Sequence, residues 1–304
     1  MSIDRRQFIQ WLAAAGLLAT QPAVGWQTAP LRRAIPSSGE RLPIVGMGTW
    51  LTFGIDPHNR AAFEQRLQVM KTFFELGGGM IDSSPMYGSA EQVLGLCLKA
   101  LSVAPGLFAA TKVWTHGDRE GMLQMEQSRL YWGLPRFDLM QVHNLLDWQT
   151  HLPRLRAMKD AGAIRYVGVT TSHGRRHQEL IRILQNESLD FVQLTYNMLD
   201  REAEQRLLPL ARDKGVAVIV NRPFQRGGLF DYVGRHPLPD WAADIDCAHW
   251  SQFFLKFVLS HPAVTCAIPA TSRPDHLREN MAAASAPLPD EEQRRKMLAY
   301  LQSL

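Results

Sequence analysis

Four ionisable residues stand where apolar runs of strand length give out: Asp82, Tyr87, Lys112 and His143. Asp82 closes the short run in Gly79-Met-Ile-Asp-Ser-Ser-Pro-Met-Tyr-Gly-Ser-Ala-Glu91, and Tyr87 sits in the loop that follows it. Lys112 ends Leu107-Phe-Ala-Ala-Thr-Lys112, and His143 ends Phe137-Asp-Leu-Met-Gln-Val-His143. A lysine placed there has no reason to be buried without a partner. Pairing with Asp82 would keep it charged, and a cation beside Tyr87 is expected to favour phenolate and lower the phenol pKa. Such a phenol can give a proton to a carbonyl oxygen, with His143 as a second donor that orients that oxygen. This set contains no nucleophile and no electron source, so a reduction would need hydride from a cofactor.

The four can act together only if their strands share one rim. The chain alternates strand and helix signals eight times. Strands are predicted at residues 44–49, 80–83, 107–113, 138–144, 164–171, 191–195, 216–220 and 264–268. Helices are predicted at 61–76, 90–101, 122–131, 152–161, 178–184, 204–212, 249–259 and 275–284, with an extra helix in the tail after Pro287. The seventh strand shows no alternation and should be buried on both faces. Only its helix is delayed, by a Gly- and Pro-containing loop at 224–248. Eight such units predict a single-domain α/β (β/α)8 TIM barrel, because parallel strands need crossovers and eight is a number that closes. An open doubly wound sheet fits less well: Gly46-Met-Gly-Thr-Trp-Leu51 lacks the third glycine of a dinucleotide-binding turn. Adjacent strands lie about 4.8 Å apart, so the ends of strands two, three and four come within side-chain reach of one another.

The 304 residues, 46% hydrophobic and 20% charged with a formal net charge of +4, describe an ordinary globular chain whose basic residues form no stripe for nucleic acid. Cys97, Cys247 and Cys266 suggest neither a disulfide framework nor a zinc site. His116, His151, His173, His177 and His236 have no mutual metal spacing and read as surface residues, so no metal site is predicted. The N-terminus carries Asp4-Arg-Arg-Gln-Phe-Ile9, an apolar run from Trp11 to Ala19 and the small-residue pattern Ala23-Val24-Gly25. This resembles a twin-arginine signal peptide over residues 1–25, too short to be a stable membrane anchor. It implies the twin-arginine export machinery as a partner and a periplasmic or otherwise exported destination. Residues 26–41, rich in Pro, Ser and basic groups, read as a linker before a barrel at 42–304.

Gly46-Met-Gly-Thr49, Ile81-Asp-Ser-Ser-Pro-Met-Tyr-Gly88, Thr111-Lys112, Gln141-Val-His143 and Ile268-Pro-Ala-Thr-Ser-Arg-Pro-Asp-His-Leu-Arg-Glu-Asn280 together resemble the aldo-keto reductases. The likeness runs in the family's order from about Leu42 to Asn280. It implies a nicotinamide-dependent oxidoreductase that reduces a small aldehyde or ketone, with Tyr87 as general acid, Asp82 and Lys112 tuning it and His143 orienting substrate. By the same likeness Thr49, Thr170, Thr171 and Gln193 line the nicotinamide, and the segment after strand seven covers the pyrophosphate. Ser272, His276, Glu279 and Asn280 meet the adenosine half.

The chain departs from the family pattern in three places. Ala270 replaces the basic residue that often grips a 2′-phosphate, with Arg273 and Arg278 close by, so NADP(H) is the default cofactor and NAD(H) the alternative. Asn221 stands where a tyrosine commonly stacks on the nicotinamide, with Phe224 as a compensating ring. Thr170-Thr171 replaces a Ser-Asn pair. Trp50, Trp114 and Trp148 follow strand ends, and Trp50 and Trp114 are assigned to the substrate pocket. A cofactor-holding sensor with little steady-state turnover is the rival function. A metal-dependent barrel hydrolase would need a His-x-His where Met47-Gly48-Thr49 stands.

Overall fold

The computed structural model describes residues 29–304 apart from 103 and 105. The predicted signal peptide at 1–25 and the first residues of the predicted linker lie outside the described residues. Among the described residues ten strands and ten α-helices follow in order. A hairpin of β1 (Arg32–Ala34) and β2 (Arg41–Pro43) precedes β3 (Met47–Gly48), α1 (Arg60–Glu75), β4 (Met80–Asp82), α2 (Ala90–Leu101), β5 (Phe108–Val113) and α3 (Asp118–Trp132). Then come β6 (Phe137–Val142), α4 (Trp148–Asp160), β7 (Ile164–Thr170), α5 (His177–Asn186), β8 (Phe191–Thr195), α6 (Leu207–Asp213) and β9 (Ala217–Asn221). The chain finishes with α7 (Gly228–Val233), α8 (Trp250–Ser260), β10 (Val264–Ala267), α9 (Pro274–Ala282) and α10 (Glu291–Gln302).

Strands β3 to β10 form one parallel sheet in chain order. Its two ends meet through bridges Val45 to Ala267 and Gly48 to Ala270. The seam is sewn by backbone bonds from Gly46 N to Ala267 O (2.8 Å), Ala267 N to Ile44 O (2.9 Å) and Gly48 N to Pro269 O (3.1 Å). Glycine is required on this seam: a Cβ on Gly48 would lie 2.7 Å from the Ile268 carbonyl oxygen, and one on Gly46 would lie 2.9 Å from that of Met80. The expected (β/α)8 barrel is thus formed and closed.

The predicted linker is corrected from Arg32 onward. Residues Arg32 to Pro43 form the hairpin that plugs the N-terminal end of the barrel, with Ile35 and Leu42 buried beside Met80, Phe108, Leu139, Phe191 and Ile219. Arg33 fixes it, donating to the carbonyl oxygens of Leu259 (2.6 Å), His261 (3.1 Å) and Val264. The charged composition that suggested a mobile arm serves instead to satisfy carbonyls at a helix end and a strand start. The expected long loop at 224–248 also carries structure, namely α7 and a 3₁₀ stretch, Asp240–Ile245. His151, read as a surface residue, is buried: its Nε2 lies 2.8 Å from the Thr115 carbonyl oxygen, and the ring fills the space above Gly121. Among the described residues no helix is long and apolar enough to cross a membrane.

The tail helix α10 packs on the outside as expected. Arg294 donates to Phe257 O, to Ser260 Oγ (2.7 Å), to Tyr196 Oη (2.6 Å) and to Glu204 (3.0 Å), tying α10 to α8 and to the turn after β8.

Candidate active site

At the carboxyl ends of the strands, alternation delivers one inward polar side chain from each of several neighbours. Asp82 ends β4, Lys112 lies near the end of β5, and Lys112 is in register with Gln141 of β6. Thr111, the neighbour of Lys112, faces the other way and donates to buried Glu91 of α2 (2.5 Å). Glu91 also accepts from Ser128 (2.7 Å) and the Trp132 indole (3.2 Å) on α3. That bonding fixes which face of β5 looks into the barrel. Burial raises the Glu91 pKa.

Asp82 is the hub. Its Oδ2 accepts from Lys112 Nζ (2.5 Å), and its Oδ1 accepts from the side-chain amides of Gln141 (3.0 Å) and Gln193 (2.9 Å). Lys112 also donates to the Ser83 carbonyl oxygen (2.7 Å). Both members of the ion pair are shut from solvent. Burial alone would strip the proton from Lys112, but Asp82 and then Tyr87 outweigh it, and its pKa is raised.

Tyr87 reaches the same place from the loop after β4. Lys112 Nζ lies 5.2 Å from the centre of its ring, and the His143 ring meets it edge-on at 5.7 Å between centroids. The expected acidic phenol is corrected in direction: the Tyr87 pKa is raised above its ordinary value of 10. Withdrawal of the phenolate from water dominates, Lys112 opposes it, and Asp82 and Glu91 add to the rise. Tyr87 is therefore a phenol through the neutral range, and Lys112 matters as charge develops on its oxygen rather than before.

His143 lies on the 3₁₀ turn His143–Leu145 after β6. Burial, and then the charge of Lys112, hold its pKa well below 6.5, so the ring is neutral. Its Nδ1 is 2.8 Å from Ser84 Oγ, and Ser84 Oγ in turn accepts from Met86 N (3.2 Å). Ser84 can donate to Nδ1, and in that tautomer the ring proton rests on Nε2 and His143 is a neutral hydrogen-bond donor.

These groups open onto a cleft of about 700 Å³. Asp82, Tyr87 and His143 line it, as do Thr49, Thr170, Thr171, Gln193, Asn221, Phe224 and Trp50 among the residues singled out from sequence. Ser272, His276, Glu279 and Asn280 lie outside its lining. Asn280 is buried on α9, and Glu279 accepts from Ser251 (3.0 Å). Trp114 is also outside the lining, 40% exposed with its ring 6.5 Å from that of His143. Trp148 donates to Glu179 (2.9 Å). Arg273 is engaged by Asp275 at 2.5 Å.

Asn221 is held rather than free. Its amide donates to Thr171 O (2.9 Å) and Gln193 Oε1 (3.3 Å), and its Oδ1 accepts from Thr195 Oγ1 (2.7 Å). Gln193, expected against the nicotinamide, is thereby committed on its nitrogen to Asp82 and on its oxygen to Asn221. Sequence reasoning missed Ser84 and Gln141. The signal for Gln141 was its parity: it lies two residues before His143, in a strand whose other polar residue, Asp138, has the opposite parity.

The cleft fits a nicotinamide cofactor. Buried Thr171 Oγ1, on its wall, has no hydrogen-bond partner among the described residues. Gly48 and Ala270 also line it.

A sequence model described as the Aldo/keto reductase family matches residues 44–296. The chain is 25% identical over 304 aligned positions to an Escherichia coli (strain K12) protein named NADH-specific methylglyoxal reductase, covering 81% of this chain and 91% of that one. Among solved structures it is similar to an aldo-keto reductase from Bacillus halodurans in its holo form (TM-score 0.74, 22% identity, 90% of this chain and 96% of that one). It is also similar to an aldo-keto reductase from Klebsiella pneumoniae in complex with NADPH (TM-score 0.70, 24% identity, 87% and 92% of the two chains).

Proposed function

The chain belongs to the aldo/keto reductase family and is an NAD(P)H-dependent oxidoreductase, and from that premise we propose that it reduces a small aldehyde or ketone with Tyr87 as proton donor. The observation that carries the assignment is the placement of one buried ammonium, Lys112, between the Asp82 carboxylate at 2.5 Å and the Tyr87 ring at 5.2 Å.

Bound NAD(P)H supplies the hydride to the carbonyl carbon. This chain does the rest. His143 Nε2 and the Tyr87 hydroxyl hold the carbonyl oxygen from two sides. The Tyr87 proton passes to that oxygen as negative charge gathers there, leaving phenolate and product alcohol. Lys112 stabilises the phenolate, and Asp82 keeps Lys112 charged and in place. Gln141 and Gln193 hold Asp82. Thr49, Thr170, Thr171, Asn221 and Phe224 would hold the nicotinamide half, with Ser272, His276, Glu279 and Asn280 toward the adenosine half. NADP(H) is the proposed partner and NAD(H) its alternative, since the Klebsiella structure holds NADPH and the Escherichia coli relative is named for NADH.

Stopped-flow measurement of the loss of reduced-nicotinamide absorbance, with a panel of aldehydes and ketones mixed against protein loaded with NADPH or NADH, tests this reading. Carbonyl-dependent oxidation that continues over many turnovers is expected. A single turnover followed by arrest would favour the cofactor-holding sensor, and no oxidation with any carbonyl would overturn the assignment.

Export by the twin-arginine route belongs to the same proposal, on the strength of Arg5-Arg6, the apolar run behind them and cleavage after Gly25. Changing Arg5→Lys together with Arg6→Lys is expected to leave the precursor in the cytoplasm. Undiminished mature protein in a periplasmic fraction would refute it.

A further inference from the structure

Ser84 gives no proton to the substrate and takes no part in the Asp82 to Lys112 ion pair, yet it touches both of the groups that hold the carbonyl oxygen. It follows Asp82 and Ser83 directly after β4 and is shut from solvent. Its carbonyl oxygen accepts from Tyr87 N (3.0 Å) and its hydroxyl oxygen from Met86 N (3.2 Å), so both of its oxygens shape the turn that presents Tyr87. The same hydroxyl lies 2.8 Å from His143 Nδ1. One buried side chain thus bridges the turn that carries the proton donor and the ring that orients the carbonyl.

The supply of hydrogens gives the bond between Ser84 and His143 its direction. A hydroxyl has one hydrogen to give and two lone pairs to receive with. Met86 N–H fills one lone pair, and among the described residues His143 Nδ1 is the only other partner of Ser84 Oγ. Were Nδ1 protonated, it and Met86 N would both donate to Oγ, and the hydroxyl hydrogen would have no acceptor in a place closed to water. Buried donors are seldom left in that state, because the hydrogen bonds lost to water are not replaced. Given to Nδ1, the same hydrogen leaves every group satisfied. Burial and the charge of Lys112 hold the His143 pKa well below 6.5, so a doubly protonated ring does not compete at neutral pH.

The consequence falls on the other ring nitrogen. His143 lines the cleft, and Nε2 has no hydrogen-bond partner in the protein among the described residues. A neutral imidazole with a bare Nδ1 carries its proton on Nε2, ready to donate to a carbonyl oxygen; the reverse tautomer would set a lone pair against that oxygen. The rings of Tyr87 and Trp114, 5.7 and 6.5 Å away between centroids, flank the imidazole but make no polar bond to it.

We infer that Ser84 is a positioning residue for the reduction: its hydroxyl locks His143 in the tautomer with the proton on Nε2 and fastens that ring to the Tyr87 turn, so that one side chain sets both donors to the carbonyl oxygen. The inference rests on the carbonyl-reductase reading above.

Ring-nitrogen chemical shifts report the tautomer directly, in protein whose histidines carry the heavy isotope of nitrogen, loaded with NADP+ at neutral pH and assigned by the signals lost in His143→Gln. The wild type should show a bare Nδ1 and a protonated Nε2. A protonated Nδ1 would overturn the inference, and this spectrum decides even if the Ser84 variant fails to fold. In Ser84→Ala the Nδ1 signal should move toward that of an unbonded nitrogen or average between tautomers. Its kcat/KM for an aldehyde should fall about tenfold, the worth of one hydrogen bond, with the Kd for NADPH unmoved. A slower variant whose ring shifts match the wild type would confine Ser84 to shaping the turn and overturn the tautomer role, as would a variant unchanged in both. The shifts are read without a carbonyl, so failure of the reductase reading would show in turnover alone and leave the spectrum to judge Ser84.

Discussion

Tyr87→Phe is expected to lower turnover by about a hundred- to ten-thousand-fold, the usual contribution of a positioned general acid, while cofactor binding is retained. The substitution removes one hydroxyl and keeps the ring that packs edge-on against His143 and lies 6.5 Å from Trp50, so the walls of the cleft stay in place. Single-turnover oxidation of bound NADPH at saturating carbonyl, wild type beside variant, makes the measurement. Equal rates would remove Tyr87 from the role assigned to it. The raised phenol pKa adds a pH signature. Because the folded site favours the protonated form, the donor is fully loaded at neutral pH and is lost only as pH climbs above 10, the ordinary phenol value. Turnover should hold through the neutral range and fall on the alkaline side, and the residual rate of the variant should lack that fall. His143, held well below 6.5, is neutral over the same range and contributes no ionisation near its ordinary value.

The raised pKa also marks where sequence reasoning stopped short. That Lys112 would pair with Asp82 followed from a lysine ending an apolar strand. That the phenol would be less acidic did not follow, because the balance depends on how deeply Tyr87 is withdrawn from water and on how close Glu91 stands, and neither is written in a spacing. The barrel itself was legible because eight strand–helix alternations leave few ways to close. Its seam was not, although Gly46 and Gly48 supply the close approach that closes it. The hairpin at Arg32 to Pro43 was hidden by its own charge: Arg33 resembles a solvated linker residue until its three carbonyl partners are brought from Leu259, His261 and Val264 by the fold. Gln141 and Gln193 show the same limit from the other side. Each is a polar residue in a buried strand, and only the ring of strands brings both amides to the same oxygen of Asp82.

That convergence shapes the second large effect. Lys112→Met takes the cation from a pair that is 0% and 3% exposed and leaves the Asp82 carboxylate buried without it. Breaking a buried pair on one side costs about 3–5 kcal/mol. For a chain of this size that corresponds to a fall in Tm on the order of 10 °C. The two glutamine amides on Oδ1 still solvate part of the stranded charge, which places the expectation toward the lower end of the range. Asp82→Asn added to Lys112→Met removes the charge that was stranded, and most of the lost stability should return, since a buried pair is seldom worth much more than the neutral groups that replace it. Activity should behave otherwise. Neither the single nor the double variant has a cation to stabilise phenolate at Tyr87, so both should turn over at least about a hundredfold more slowly than wild type. Thermal denaturation and single-turnover rates, taken on the same three proteins, separate the two roles. Stability that returns without activity identifies Lys112 as part of the chemistry, whereas a double variant recovering both would reduce the pair to a structural filling and leave Tyr87 to act without it.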